Sequence, residues 1–390
     1  MNGQHEPRFF VLDTPNGVAR AMPLAQALAQ AGLAAGTARL APRELPKLAA
    51  TLRARGAVAV WVTVWVTVPL TGPEAAPGQL NHWLDTAHAR GWVSAEAGID
   101  IAALLPGWQA RLAEGHVPAD AALLAWPVLP GLSWGDQPEP VRALAAAAPP
   151  TAVPPTAEPP LGLYAIVDSA AALRRVLQAG VRTVQLRVKR PADADAAWAS
   201  ALRAAVRDSL LAAADQGALL FINDHWRLAA ELGARAVHLG QEDLLALGEA
   251  GRAELGASGL GLGVSSHAVW ELCRARSLAP RYIACGPVWP TTTKDMPWRP
   301  QGLDNLAWWC RSADAPVVAI GGILTPDQVR QAAAAGASGV CVLRGLGPDP
   351  LLSVGALQQA FAHGRHEAQA RAGQPLQPLL RPHPTLGPAP

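Results

Sequence analysis

Short apolar runs recur through the second half of the chain, and an alanine-rich amphipathic segment separates each run from the next. The eight runs are GLYAIV at 162, TVQLRV at 183, ALLFI at 218, AVHL at 236, LGLGV at 260, RYIACG at 281, PVVAIG at 316 and GVCVL at 339. Strand-sized runs that alternate with helical patterns predict β-α units. Eight such units over residues 161–362 predict a compact (β/α)8 TIM barrel, and favour it over an open doubly wound sheet.

The first part of the chain, residues 1–144, alternates apolar and helical patterns less regularly. Apolar runs occur as FFVLD at 9–13, TARLA at 37–41, AVAVWVTVWV at 57–66 and ALLAWPVLPG at 122–131, and helical patterns lie near 18–31, 43–55, 79–90 and 99–114. This rhythm predicts β-α-β units in a smaller α/β domain. In the longest run the even-numbered valines share one face, which predicts a strand with one strongly buried side.

Proline-rich stretches mark the limits of these two domains. The segment AAAAPPTAVPPTAEPP at 145–160 predicts an extended linker, because prolines and small residues cannot form a core. Residues 363–390 are rich in Pro, Gln, Arg and Ala, and this composition predicts a mobile C-terminal tail.

Composition and charge restrict the classes of partner. The chain has 390 residues, 50% of them apolar, and its 32 basic and 30 acidic residues leave a net charge of +2, which argues against a nucleic-acid partner. The longest apolar segment, 57–70, is too short to span a membrane, and the N-terminus has no signal-peptide pattern. Four isolated cysteines predict reduced thiols in a cytoplasmic protein rather than a zinc site. The pattern leaves open whether the protein is a homo-oligomer.

Polar residues follow six consecutive strands of the predicted barrel, at the end where TIM-barrel active sites lie. In chain order they are Gln185, Arg187, Lys189, Asn223, Asp224, Asp243, Ser265, His267, the segment 291–294, Gly321 and Gly322. Arg187, Lys189 and Lys294 are candidates to hold a diphosphate. Asp224 and Asp243 leave adjacent strands and could share Mg²⁺, which takes one or two carboxylates together with phosphate oxygens. The glycine pair offers backbone N–H groups to a phosphate.

Each candidate also has a purely structural explanation. Asp224 and Asp243 could cap the helices that follow them, and Arg187 or Lys189 could form a surface ion pair. Gly321 and Gly322 could form only a tight turn. His267 is better explained as a first-turn helix residue than as a base. The Thr-Lys loop at 286–303 is a solvated turn or an anion site, since short hydroxyl donors beside a lysine suit phosphate oxygens.

Taken together, the motifs of the barrel region resemble the thiamine phosphate synthase family over residues 162–346. The matching segments are GLYAIVDS, QLRVK, FINDHWRLA, VHLGQED, LGVSSH, GPVWPTTTK, MPWRPQGL and AIGGI, in the order that the family has them. The resemblance implies a transferase that joins hydroxymethylpyrimidine diphosphate to a thiazole phosphate carboxylate. Such an enzyme uses magnesium, releases diphosphate and carbon dioxide, and gives thiamine phosphate.

The resemblance also implies a role for each matching residue. The residues implied at the pyrimidine diphosphate are Gln185, Arg187, Lys189, Asn223, Ser265 and Lys294, those at the thiazole phosphate are Thr291, Thr293, Gly322, Leu343 and Arg344, and those at magnesium are Asp224 and Asp243. The implied catalytic residues are Arg187, Lys189, Lys294 and Ser265. Their cations would stabilise the charge that builds on the departing diphosphate.

Three positions depart from the family pattern. Val188 stands where many members have glutamate, His225 occupies a variable position, and Arg344 replaces a small hydroxyl residue. The Arg344 substitution puts a hydroxyl contact in doubt, although the arginine could add charge at the same phosphate.

Two other functions stay open for the barrel. A thiazole tautomerase would keep the scaffold but would not need Asp224, Asp243 or the Thr293-Lys294 pair, and an inactive binding or regulatory module would need none of them. Residues 1–144 carry no functional motif. His82 and His88, six positions apart on a predicted helix, do not share a face, which favours packed or solvated side chains over metal ligands. Two interpretations stay open for this domain: a remnant or variant of another thiamine-pathway enzyme, or an interaction module that sets oligomeric state.

Overall fold

The computed structural model describes residues 7–14, 17–33, 41–66, 79–94, 101–135, 160–292, 297–372 and 381–387. The predicted linker at 145–160 and the apolar run at 37–41 therefore lie almost wholly outside the described residues. The chain forms two compact units. The first consists of Met1–Pro150, Ala268–Ser277 and Pro384–Pro390, and the second of Thr151–His267 and Leu278–His383.

The first unit is built on a six-stranded sheet in the order β2-β1-β3-β4-β5-β6. Its strands are β1 (Arg8–Leu12), β2 (Arg20–Pro23), β3 (Ala59–Val66), β4 (Gln79–Thr86), β5 (Arg90–Ser94) and β6 (Gly131–Leu132). Every neighbouring pair in this sheet is antiparallel. The unit is an α/β domain, as predicted, but the prediction of β-α-β units is wrong because such units require parallel strands.

The α-helices of this unit among the described residues are α1 (Leu24–Gln30), α2 (Leu45–Ala54), α3 (Ile101–Ala113) and α4 (Pro118–Leu124). The predicted strand at 57–66 is confirmed as β3, but the prediction of a single buried face is wrong. Val60 and Val62 join a core with Leu48 of α2, while Trp61, on the opposite face, is also buried. The ring of Trp61 contacts that of Trp108 with centroids 5.6 Å apart.

A further prediction for this unit is wrong. The helix predicted near 79–90 is the β4-β5 hairpin, which places His82 in a strand and His88 in the turn. The apolar run at 122–131 begins as the end of α4 and reaches only the short strand β6. In the hairpin segment the alternation of apolar residues is obscured because polar side chains such as His82 and Asp85 are themselves buried.

The second unit contains a closed barrel of eight parallel strands that pair in chain order, which confirms the predicted TIM barrel. The strands are β7 (Gly162–Val167), β8 (Thr183–Leu186), β9 (Leu219–Asn223), β10 (Ala236–Leu239), β11 (Gly261–Ser266), β12 (Tyr282–Cys285), β13 (Val317–Ala319) and β14 (Gly339–Val342). Each apolar run of the sequence overlaps one of them, and β9 and β11 extend past their runs to Asn223 and Ser266. Short strands that are rich in Val and Ile and buried on both faces are typical of a parallel sheet.

The helices of the barrel region follow the strands with few interruptions. They are α5 (Ala170–Gln178), α6 (Ala196–Asp215), α7 (Trp226–Glu231), α8 (Gln241–Ala246), α9 (Gly248–Ala257), α10 (Val269–Arg276), α11 (Gly302–Ser312), α12 (Pro326–Ala334) and α13 (Pro350–Ala372). Side-chain caps start several of them. Ser169 accepts from the backbone N–H of Ala172, and Asp195 accepts from that of Trp198. Such caps satisfy the N–H groups that a helix start leaves unpaired.

Helix α10 belongs by its contacts to the first unit, although it follows barrel strand β11 in the chain. Within the first unit, the backbone N–H of Trp270 donates to Asp120 Oδ1 of α4 at 3.0 Å. Trp270 stacks on His88 with ring centroids 5.3 Å apart, and Arg276 donates to the carbonyl oxygen of Leu129 at 2.5 Å. Burial raises the pKa of Asp120 to about 7. The start of α10 is thus capped by a buried carboxyl group.

The prediction of a mobile tail over residues 363–390 is wrong for two segments. Helix α13 continues to Ala372, and residues 381–387 are also described. There His383 accepts from the side-chain amide of Asn305 through its carbonyl oxygen at 3.1 Å and donates its backbone N–H to Asn305 Oδ1 at 2.8 Å. Over the described parts of the chain, none of the helices combines the length and the apolar character that crossing a bilayer requires.

Candidate active site

Two buried amides stand at the carboxyl ends of neighbouring barrel strands. Gln185 lies in β8 and Asn223 ends β9, and their side chains are buried. Asn223 is paired in register with His238 of β10. The Asn223 side-chain nitrogen has no hydrogen-bond partner among the described residues. A buried donor left unpaired is costly, so this group is suited to a ligand that completes its hydrogen bonding.

Asp224 follows β9 in an unusual backbone conformation. Its φ of 63° lies in the left-handed region, which few non-glycine residues adopt. Its backbone N–H donates to the carbonyl oxygen of His238 at 3.0 Å, and its carboxylate lies 3.4 Å from Lys189 Nζ. The side chain does not cap α7, because no side-chain hydrogen bond is found at that helix start. The sequence left open an ion pair for Lys189, and Lys189 forms that pair with Asp224.

Asp243, on the next strand-helix connection, has a partly structural role. Its Oδ2 accepts from the backbone N–H of Gly240 at 3.2 Å, at the start of α8. Partial burial, and secondly the charge of Asp224, raise the pKa of Asp243 above its ordinary value. Both carboxylates line one pocket of about 480 Å³, together with Arg190 and His225. Two carboxylates that repel one another at one pocket wall are suited to a cation.

The donor set fits magnesium. Among the described residues no group of three or more His, Cys, Asp or Glu side chains is close enough to hold a metal ion. Mg²⁺ does not need such a group, because it usually takes one or two carboxylates and completes its shell with water and substrate phosphate oxygens. Asp224 and Asp243 together provide that number.

The charged residues that follow β8 lie close enough to His238 to affect its pKa. The charges of Asp224, Arg187, His267 and Lys189 all influence the ionisation of His238, whose pKa is lowered to about 4, mainly by burial. Arg187 continues the barrel ladder, since its backbone N–H donates to the carbonyl oxygen of Val167 at 2.8 Å. The basic groups and Asp224 are therefore brought together.

Two of the departures from the family pattern contact each other. The Nε2 atom of His225 lies 2.9 Å from the carbonyl oxygen of Val188. The contact joins the loop after β8 to the start of α7 through the Val188 backbone, so it does not require a particular side chain at position 188.

Ser265 lies in β11 and is half-buried. Its hydroxyl oxygen is 2.8 Å from His238 Nε2. The next strand-end residue, His267, is committed elsewhere: its Nδ1 lies 2.9 Å from the carbonyl oxygen of Gly286, and its own carbonyl accepts from Gln301 at 2.7 Å. These bonds agree with a structural role for His267.

Close backbone packing explains the glycine pair after β13. Both residues have positive φ, 92° at Gly321 and 72° at Gly322. A Cβ added to Gly322 would lie 2.6 Å from the carbonyl oxygen of Trp289, and one on Gly321 would lie 2.6 Å from Pro287. Glycine is thus required at both positions by the Thr-Lys loop that lies against them. This requirement holds whether or not a phosphate binds.

The Thr-Lys loop is described only in part. Thr291 and Thr292 are described, whereas the predicted residues Thr293 and Lys294 lie outside the described residues. Arg344, after β14, donates to Thr292 Oγ1 at 3.0 Å, and Leu343 beside it is 37% exposed. The loop after β12 and the turn after β14 therefore meet, which is the arrangement that a shared anion site needs.

Sequence reasoning missed a polar cluster inside the barrel. Tyr164, His238 and Tyr282 occur within apolar runs and carry hydrogen bonds to one another or to the predicted residues Gln185 and Ser265. A signal for them existed, because a histidine and two tyrosines in buried parallel strands need internal partners.

Comparisons with known proteins bear on the barrel region. The thiamine monophosphate synthase family model matches residues 163–346. A thiamine-phosphate synthase of Neisseria meningitidis is 45% identical over 185 residues, which cover 47% of this chain and 85% of that protein. The chain belongs to the thiamine-phosphate synthase family. A thiamine-phosphate synthase of Yersinia pestis is likewise 45% identical over 188 residues, covering 47% of this chain and 81% of that protein.

The family assignment confirms the resemblance noted in the sequence. As a member of the thiamine-phosphate synthase family, the protein is a transferase of thiamine biosynthesis. Among solved structures, a thiamine phosphate pyrophosphorylase from Pyrococcus furiosus is similar with a TM-score of 0.45 and 26% identity, covering 52% of this chain and 96% of that one. The matched residues include all eight barrel strands, apart from the first residue of β7, and also Ala268–Ser277 of the first unit, whereas residues 1–150 lie outside the match.

Proposed function

We propose that the barrel condenses hydroxymethylpyrimidine diphosphate with a thiazole phosphate carboxylate to give thiamine phosphate, diphosphate and carbon dioxide, with Mg²⁺ as cofactor. The observation that carries the proposal is the conformation of Asp224. Its left-handed backbone turns a carboxylate to Lys189 at 3.4 Å and into the pocket that Asp243 also lines. Backbone strain of this kind persists where the surrounding structure holds it, and it is concentrated at functional sites.

The proposed bond changes need charge stabilisation more than a protein nucleophile. The methylene C–O bond of the pyrimidine breaks, and its electron pair leaves with the diphosphate. The lone pair of the thiazole nitrogen then forms the new C–N bond. Loss of the carboxyl group as carbon dioxide leaves an electron pair on the ring carbon, which takes up a proton.

Arg187 and Lys189 would bind the diphosphate and stabilise the charge that develops on it, because fixed cations in a partly buried site act most strongly where charge appears. Lys294 is proposed to join them. Asp224 and Asp243 would hold the metal ion, which when bound supplies positive charge to the diphosphate oxygens. The 3.4 Å pair with Asp224 keeps Lys189 at this side of the pocket before substrate arrives.

The other residues would orient the two substrates. Gln185, Asn223 and Ser265 would bind the pyrimidine, and the unpaired side-chain nitrogen of Asn223 is a donor available to it. Thr291, Thr293, Gly322, Leu343 and Arg344 would bind the thiazole phosphate. Bringing the nitrogen close to the methylene carbon lowers the entropic part of the barrier.

The test is to incubate the purified full-length chain with both substrates and Mg²⁺, and to measure thiamine phosphate and diphosphate together. We expect equal amounts of the two products and none when either substrate or Mg²⁺ is omitted. A folded chain that gives neither product would overturn the proposal. Conversion of the thiazole substrate alone to an isomer, without the pyrimidine, would instead identify a thiazole tautomerase.

A further inference from the structure

The Thr-Lys loop is closed at its base by hydrogen bonds between its two described ends. The backbone N–H of Gln301 donates to the carbonyl oxygen of Pro287 at 2.8 Å, and that of Gly302 donates to the carbonyl oxygen of Val288 at 3.0 Å. Residues 287–288 follow β12, and residues 301–302 lead into α11. The position of the loop base therefore depends on how firmly Gln301 is held.

Gln301 is a buried side chain with a partner at each end of its amide group. Its side-chain nitrogen donates to the carbonyl oxygen of His267 at 2.7 Å, and its side-chain oxygen accepts from Asn305 Nδ2 at 3.1 Å. Gln301 and Asn305 are both 0% exposed. Because buried polar atoms need hydrogen-bond partners, Asn305 is required to complete the hydrogen bonding of Gln301.

The segment 381–383, far along the chain from the barrel strands, binds both of these amide residues. The backbone N–H of His383 donates to Asn305 Oδ1 at 2.8 Å, and Asn305 Nδ2 donates to the carbonyl oxygen of His383 at 3.1 Å. The ring atom Nε2 of His383 lies 2.8 Å from the carbonyl oxygen of Gln301, which can only accept, so the ring donates. We call Gln301, Asn305 and His383 the His383 clip.

Backbone atoms fix the orientation of both amide groups in the His383 clip. The His267 carbonyl accepts, so the Gln301 atom that faces it is the nitrogen. The His383 N–H donates, so the Asn305 atom that faces it is the oxygen, and the two N–H groups of Asn305 remain for Gln301 and the His383 carbonyl. Aspartate at position 305 would place a carboxylate oxygen against two acceptors.

The loop base that the His383 clip holds also lies against the glycine pair after β13. The backbone N–H of Val288 donates to the carbonyl oxygen of Ile320 at 2.9 Å, and that of Trp289 donates to the carbonyl oxygen of Gly321 at 3.1 Å. Gly322 packs so closely on Trp289 that a Cβ at Gly322 would lie 2.6 Å from the Trp289 carbonyl oxygen. A shift of the loop base would therefore displace the backbone beside Gly322, which is proposed to bind the thiazole phosphate.

We propose that His383 and Asn305 are positioning residues, which hold the base of the Thr-Lys loop in place for binding of the thiazole phosphate. The proposal rests on the proposed function, and it gives a role to a segment beyond the family match, which ends at residue 346. Neither side chain touches a substrate. The effect falls mainly on the thiazole phosphate, because most residues proposed at the pyrimidine diphosphate and the metal ion follow β8, β9 and β10.

The first test measures KM for each substrate in the full-length protein with Mg²⁺. His383→Ala removes the ring donor to Gln301 and should raise KM for the thiazole phosphate roughly fivefold, with less than about a twofold change for the pyrimidine diphosphate. His383→Gln supplies an N–H donor on a side chain of similar reach and should restore most of the affinity. The matched control is His363→Ala, at an exposed histidine of α13 that pairs with Glu367 at 3.5 Å, and it should change neither KM.

A second variant alters the buried part of the His383 clip. Asn305→Asp keeps the size of the side chain and the acceptor for the His383 N–H, but it loses both donors. It should raise KM for the thiazole phosphate by about tenfold or more. Equal rises in both KM values, or wild-type KM values in both His383→Ala and Asn305→Asp, would overturn the proposal. Since His383 is exposed, His383→Ala tests the clip even if Asn305→Asp does not fold.

Two further measurements do not depend on turnover. Hydrogen exchange at the backbone amides of Gln301 and Gly302 should be faster in His383→Ala than in wild type, because these amides close the loop base. Faster exchange with unchanged substrate binding would show that the clip only stabilises the fold, and would overturn the positioning role. Calorimetry gives Kd for the thiazole phosphate, which should rise roughly fivefold in His383→Ala.

The calorimetric result separates this proposal from the proposed function. If wild type binds the thiazole phosphate but makes no thiamine phosphate, the proposed function fails, and a weaker Kd in His383→Ala still supports the clip. The same Kd in both proteins would overturn the clip whether or not thiamine phosphate is made. A wild-type protein that does not bind the thiazole phosphate would overturn both proposals.

Discussion

The two units treat a buried strand histidine in opposite ways. His238 in barrel strand β10 and His82 in strand β4 of the first unit are both almost fully buried, and burial lowers the pKa of His238 to about 4 and that of His82 to about 3. Both nitrogens of His238 have partners, Tyr282 and Ser265. His82 Nδ1 has none among the described residues, and its ring packs edge-on against Trp126 at 4.7 Å.

The difference is between a buried histidine that is linked to the candidate site and one that is only packed. His238 contacts Ser265 of the candidate site, whereas the ring of His82 packs against the indole rings of Trp61 and Trp126. Substitutions in the barrel rim should therefore change chemistry with little effect on folding, and substitutions in the first unit should do the reverse.

The largest expected effect is the loss of turnover in Asp224→Asn. Removing one carboxylate from the proposed metal site should lower kcat/KM by about a thousandfold, or ~4 kcal/mol, and weaken Mg²⁺ dependence, without lowering the melting temperature. Asp208→Asn on the outside of α6 is the matched control, since Asp208 has a similar ion pair with Arg174 at 3.5 Å. Near-normal turnover in Asp224→Asn would contradict the metal assignment. It would also contradict the expectation that substitutions in the barrel rim change catalysis whereas those in the first unit change stability.

The second-largest expected effect is a loss of unfolding free energy when a core residue of the first unit is replaced. Trp61 is 1% exposed and its ring contacts Phe10, Trp108 and Trp126. Trp61→Ala should cost about 3 kcal/mol of unfolding free energy, measured by urea denaturation, because it leaves a cavity. Activity per folded molecule should be unchanged. Val18→Ala, at a side chain 78% exposed, should cost almost nothing. A fall in kcat of the folded Trp61→Ala variant would show that the first unit contributes to catalysis.

A smaller effect concerns the pH dependence of stability. Burial raises the pKa of Asp120 from 3.8 to about 7, so the folded chain holds this proton more tightly than the unfolded chain. Its contribution to stability is present below about pH 4 and is lost as pH rises towards 7, with a slope of at most about 1.4 kcal/mol per pH unit.

Asp120→Asn should flatten this slope, because asparagine keeps an oxygen that accepts from Trp270 but carries no charge. The measurement is the melting temperature of both proteins between pH 5 and pH 8, taken in parallel. The same downward slope in the variant would assign the pH dependence to another group, such as the buried Asp85, whose pKa burial also raises.

The smallest expected effect is on one substrate. Arg344 donates to Thr292 at 3.0 Å and is proposed to add charge at the thiazole phosphate. Arg344→Gln should raise KM for the thiazole phosphate roughly fivefold, about 1 kcal/mol, and leave KM for the pyrimidine diphosphate unchanged. Arg311→Gln, at an exposed position in α11, is the control. Equal KM changes for both substrates would argue against a thiazole-specific contact.

The barrel was predictable from the sequence because each parallel strand is a compact apolar run followed by a polar rim residue. The antiparallel sheet of the first unit was not. In β4, residues of both faces are buried, including Asn81, His82 and Asp85, so the apolar alternation that marks a strand is lost. The rim residues were predictable in type, but their pairings were not: the Lys189–Asp224 contact depends on a backbone conformation that no pattern indicates.

The assignment of α10 to the first unit affects how the barrel could be produced by itself. The proline-rich segment before residue 160 looks like the natural place to divide the chain, yet α10, encoded far beyond it, belongs to the first unit, where Trp270 stacks on His88 and donates its backbone N–H to Asp120. A chain that begins after this segment would lose both partners of Trp270. We therefore expect such a shortened chain to need a different residue at position 270.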